Sequence, residues 1–156
     1  MIRILADGEN RHRLETNDGR HVGWIHRRVV GLRGFFSESE AIGAATRAWH
    51  ALEAVLCREY SGWPRFTPAF DRLRLVHDGA YEWISDGLTP IARLHRPRRE
   101  REMSFGIEFV LPSFASEGVA VAAALLMARA VADEGPGPEP SALQLPDDAE
   151  PQVRSA

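Results

Sequence analysis

Short runs in which apolar and polar residues alternate, cut by Asp-Gly pairs, open the chain and return in its second half. Ile2–Leu5, His12–Thr16, Val22–His26 and Val29–Phe35 are rich in β-branched and aromatic residues, and they predict four antiparallel strands. Asp7-Gly8 and Asp18-Gly19 separate the first three, because a tight hairpin turn needs positive φ, which Gly adopts without steric cost and Asp tolerates. Ser37-Glu38-Ser39-Glu40 then supplies an N-cap with Glu at the third helical position, a capping box that marks a helix start. Ala41, Ala45, Ala48, Trp49, Leu52, Val55 and Leu56 follow at helical spacing, with Arg47, Glu53 and Arg58 turned away. One stripe of this helix is therefore expected to lie on a sheet.

The order repeats beyond Trp63-Pro64. Leu73–Val76, Tyr81–Ser85, Pro90–Arg96 and Ser104–Leu111 predict four more strands, divided by Asp78-Gly79 and Asp86-Gly87, and a helix runs from about Ser116 to Ala132. Ile25-His26-Arg27 matches Leu94-His95-Arg96 at an offset of 69, while the Asp-Gly offsets are 71 and 68. The expected fold is α+β: tandem duplicated ββββα units, antiparallel sheets with two packed helices, and a pseudo-two-fold between the units. The expected organisation is a first unit over 1–62, a linker over 63–70 and a second unit over 71–134, with an acidic, Pro-rich tail over 135–156. The tail holds five prolines, four acids and one Arg, a composition that cannot bury enough apolar surface to order itself.

Charge sharpens this picture only locally. All nineteen basic residues are Arg, and setting the tail aside leaves 18 of them against 18 acids, so no global basic field draws in nucleic acid. Arg11, Arg13, Arg20, Arg27, Arg28 and Arg33 nevertheless crowd the first unit, and Arg93, Arg96, Arg98, Arg99 and Arg101 one stretch of the second. The single Cys57 sits in the helical apolar pattern, where a buried inert thiol is the ordinary explanation. The opening residues lack the charged start and apolar run of a secretory signal, which predicts a cytoplasmic protein. Val119 to Ala132 is apolar at every position except Arg129; this stretch is too short to span a bilayer and has no polar face. That pattern predicts a homo-oligomer built partly through Leu125, Leu126 and Met127, with burial inside the chain as the alternative.

Four antiparallel strands followed by a helix, twice in one chain, is similar to the Whirly family of single-stranded DNA-binding proteins. The half-unit resembles the positive-coactivator-four type domain that dimerises into the same shape. The resemblance rests on the strand-to-helix step Gly34-Phe35-Phe36-Ser37-Glu38-Ser39-Glu40 and its counterpart Pro112-Ser113 to Glu117. The Lys-Gly-Lys-Ala signature of the plant members is absent, since the chain has no Lys. The first unit also resembles the three-strand-and-helix domain of plant ethylene-response factors and phage integrase arms, through Trp24-Ile25, a Gly-x-Phe and an acid-rich helix start.

Either resemblance implies single-stranded nucleic-acid binding through the sheet, with Arg tracking phosphates and rings stacking on unpaired bases. The residues placed for that role are Arg20, Trp24, His26, Arg28 and Arg33, then Tyr81, Trp83, Arg93, His95 and Arg96. Alternation puts Val22, Trp24 and His26 on one face and His21, Gly23 and Ile25 on the other. Two other function classes remain. One is a protein-interaction or self-assembly module built on the Ala/Leu helix. The other is a ligand-binder or enzyme in which the pseudo-two-fold draws His26 and His95 together with His21 or Asp78. No His-x-x-x-His or Cys-x-x-Cys spacing, nucleophile elbow or phosphate loop is present, so neither metal nor cofactor is expected and a non-catalytic module is favoured.

Overall fold

Eight strands make one antiparallel sheet in a computed structural model of the chain, which describes residues 1–59, 68–97, 104–113 and 115–133. The strands are β1 (Ile2–Ala6), β2 (Arg11–Thr16), β3 (His21–His26), β4 (Val29–Phe35), β5 (Arg74–Asp78), β6 (Tyr81–Ser85), β7 (Pro90–His95) and β8 (Phe105–Val110). The helix α1 (Glu38–Glu59) follows β4, and α2 (Glu117–Asp133) follows β8. The expected α+β class and element order are present. The glycines of all four Asp-Gly pairs hold positive φ, as their turns require. The expected linker is described only over 68–70, at the end of which a 3-10 turn (Phe70–Arg72) begins, and the tail over 135–156 lies outside the described residues.

The expectation of separate sheets is corrected. Strand order runs β1-β2-β3-β4-β8-β7-β6-β5, so the fourth strands of the two halves pair at the centre, from Val29↔Val110 to Arg33↔Gly106. Each would otherwise be an apolar edge with a ladder of unpaired N–H and C=O groups, and their pairing removes both edges. Bulges interrupt the ladders between Leu14 and Glu15 in β2 and between Ile84 and Ser85 in β6.

Register fixes which side of this sheet is apolar. Leu14, Gly23, Leu32, Ile107 and Leu94 lie directly opposite one another across five strands, and Ile25, Val30 and Phe109 form the next row. All are buried, and burying each Leu, Ile, Val or Phe contributes about 1.5–3 kcal/mol. Both helices cover this side and pack against each other. Small buried residues, Ala41, Ala44, Ala45 and Ala48 on α1 and Ala120, Ala123, Ala124 and Ala128 on α2, keep the layer thin. Each helix lies mainly over strands of the opposite half: α1 on β7 and β8, α2 on β3 and β1, with both touching β4.

The helix starts are capped as their sequences predict. Ser37 Oγ accepts from the Glu40 amide at 3.1 Å, and Glu40 Oε1 reaches back to the Phe36 amide at 3.0 Å. Ser116 Oγ accepts from the Val119 amide at 3.2 Å. Met127 of α2 is fully buried in the chain's own core, which makes it a packing residue rather than a contact for another copy; Leu125 and Leu126 are half-buried. No described helix is long and apolar enough to cross a membrane.

Candidate functional site

Neither described helix covers the other face of the sheet. Directly paired residues on it run Leu5, Arg13, Trp24, Gly31, Glu108, Arg93, Trp83 and Val76, one from each strand. His26 and Val29 extend it towards one end, and Arg33, Gly106 and His95 towards the other. Trp24, Trp83 and His95 are half-buried there, while Tyr81, at the mouth of the β5–β6 hairpin, is 52% exposed.

The indole of Trp24 lies across Gly31. A side-chain carbon at Gly31 would overlap ring atoms Cζ2, Cε2 and Cη2, so glycine is what allows the ring to rest on the backbone of the neighbouring strand. His95 meets this ring edge-on, with centroids 6.3 Å apart and planes at 74°. Next to it, Glu108 is 8% exposed, yet it carries a carboxylate in the centre of the face. Arg93 Nη2 bonds Glu108 Oε1, and His95 Nε2 stands 3.4 Å from the same oxygen. The Arg93 guanidinium also covers the Tyr81 ring, 4.5 Å from its centroid. Tyr81, Arg93, His95 and Arg96 help line a cleft of ≈ 340 Å³ at this end of the sheet.

A second polar cluster occupies the β1–β3 side. Glu15, also buried, receives Arg13 at 2.6 Å and Arg3 at 3.4 Å. His21 Nε2 donates to the Gly23 carbonyl at 2.9 Å, so Nδ1 accepts from Arg33 Nη1 at 2.8 Å. Burial, then the Arg33 charge, holds His21 below its ordinary value, which keeps the ring neutral at pH 7.

Of the ten residues expected on the interface, seven share this open face: Trp24, His26, Arg33, Tyr81, Trp83, Arg93 and His95. Arg20 is exposed in the β2–β3 turn beside it. Arg28 and Arg96 have structural partners instead. Arg28 Nη1 donates to the Leu111 carbonyl at 2.9 Å and ties the β3–β4 turn to the end of β8. Arg96 falls on the helix side, where it bonds Glu82 of β6 and meets Glu38 of α1 at 2.7 Å; this pairing keeps the Glu82 carboxyl below its usual range.

His26 and His95 are not brought together. His26 pairs with Val29, and His95 with Gly106, whose partner on β4 is Arg33. Four residues of strand rise separate those rows by about 13 Å. Among the described residues, no group of three or more His, Cys, Asp or Glu side chains is placed to hold a metal ion.

Sequence reasoning missed Glu108, Arg13 and Gly31 as members of this face. Glu108 is the lone charge in Phe105-Gly-Ile-Glu-Phe-Val110, a signal in itself. Comparison with protein-family models, curated proteins and solved structures gives no match.

Proposed function

We propose that the chain is an internally duplicated, non-catalytic binding module whose open sheet face takes single-stranded nucleic acid. The observation that carries the reading is the Trp24 ring seated on Gly31. A half-buried indole lying across a strand turns one π-face towards the backbone and the other outwards, and an outward π-face stacks on any unpaired base. Arg13 and Arg33, exposed on the same face, and Arg20 and Arg11 at its border supply charge for the phosphates.

A duplicated origin with an approximate two-fold is part of the same proposal. It draws support from the strand order, which counts β1 to β4 inward from one edge and β5 to β8 inward from the other. The bulges at Leu14/Glu15 and Ile84/Ser85 fall at matching places, and Val30↔Phe109 and Leu32↔Ile107 flank Gly31↔Glu108 symmetrically.

Fluorescence anisotropy of labelled single strands at low salt tests the function. Saturable binding at micromolar protein is expected, with little affinity for duplex of the same sequence. Equal binding of duplex, or no saturable signal well above micromolar, overturns the reading. A second reading, self-association through Leu125 and Leu126, starts from their partial exposure beside the exposed Ala122 and Arg129 on α2. A strictly monomeric mass by light scattering removes it.

A further inference from the structure

Resting on the nucleic-acid reading, we infer that Glu108 makes the Trp24 platform selective for bases that present an amino group, cytosine above all, over uracil. Gly31 is directly opposite Trp24 on one side and Glu108 on the other. The benzo edge of the indole lies over Gly31, so it points across β4 towards Glu108 on β8. His95, held against Glu108 at 3.4 Å and edge-on to the indole, completes a corner with the ring as floor and His95 and Glu108 as wall. A base stacked on the outer face of the ring brings one edge to that wall.

Both contacts of the carboxylate, from Arg93 and His95, fall on Oε1. No described residue donates a hydrogen bond to Oε2. With Oε1 engaged by Arg93 and His95, Oε2 is the oxygen through which the carboxylate can accept from an arriving donor. Cytosine offers N4–H₂ at the edge where uracil offers the O4 acceptor, which a carboxylate repels. Arg93 neutralises the formal charge of Glu108, so the wall tolerates the polyanion while still accepting a hydrogen bond.

The test is anisotropy of equal-length oligodeoxycytidine and oligodeoxyuridine at slightly alkaline pH, where cytosine stays neutral. The wild-type chain is expected to bind the cytidine strand about ten-fold more tightly. Glu108→Gln, which keeps a partner for Arg93 but presents both a donor and an acceptor, is expected to bring the two within about two-fold of each other. An oligomer of N4,N4-dimethyldeoxycytidine, which keeps the ring and loses the donors, probes the same contact without altering the protein and is expected to bind like the uridine strand. Equal affinity of the wild type for cytidine and uridine strands, or full affinity for the dimethylated strand, overturns the role of Glu108 and leaves the stacking platform standing. Binding of no strand at all overturns both.

Discussion

Beneath the helices the central strands present Val30, Leu32, Ile107 and Phe109, all but inaccessible, whereas the reverse side of the same strands presents Gly31, Arg33, Glu108 and Val110, the last 58% exposed. Period-two alternation makes that division, and it assigns the two sides different work. On the covered side, buried apolar side chains form one cluster with the two helices. On the open side, large rings and small residues complement each other: Trp24 needs the absent side chain of Gly31, and the Arg93–Glu108 pair fills the corresponding ground across the sheet centre. Stability is thus concentrated on one side and recognition on the other, and substitutions should separate the two.

The largest effect is expected on the covered side. Ile107→Ala should cost about 2–5 kcal/mol in denaturant unfolding, the usual penalty for emptying a closed core site, whereas Trp24→Ala should cost less than half as much. Single-strand affinity should reverse that ranking, with Trp24→Ala losing about 1–3 kcal/mol of binding. If both substitutions damage folding equally, the division between the sides fails.

Gly31→Val comes next. It forces the indole off its seat, so it should weaken binding nearly as much as Trp24→Ala, and the Trp24 indole N–H resonance should shift. An unmoved resonance would mean that the ring does not rest where Gly31 holds it.

Salt dependence should be gentle. With three or four arginines available to phosphates, log Kobs should fall against log salt with a slope of about −2 to −3. A slope twice as steep would require cations from beyond this face.

The smallest effect belongs to Asp86, at the β6–β7 turn. Its carboxylate accepts from the amides of Ala69, Leu88 and Thr89, which holds its pKa at about 2, against an ordinary 3.8. Because the folded value is depressed, the stabilisation is present above the ordinary carboxylate range and is lost as pH falls from about 4 to 2. A melting-temperature profile of Asp86→Asn should be flatter than wild type through that window and parallel to it above pH 5.

Much of the architecture was legible because its signals are local. Asp-Gly pairs announced the turns, alternation announced the strands, and Ser37 with Glu40 announced α1 to within a residue. What stayed hidden depends on distant partners. Nothing near Val29–Phe35 says that its outer neighbour is Phe105–Val110, so separate sheets were the natural expectation. The open face was half legible. The spacing of Trp24, His26, Tyr81, Trp83, Arg93 and His95 placed them on common sides of their strands, but Arg96 shares parity with buried Leu94, a clue that Arg clustering overrode. Arg28 follows the strand rather than belonging to it, so alternation says nothing about where it points; the Leu111 carbonyl decides that.

The crossed seating of the helices has a consequence for biosynthesis. When β1 to β4 and α1 have left the ribosome, the strands on which α1 mainly rests, β7 and β8, do not yet exist, and the helix that shelters β1 and β3 is made only after them. The nascent amino-terminal portion therefore waits with its greasy surface uncovered until translation reaches Asp133, and products that stop short of α2 are candidates for aggregation rather than for partial activity.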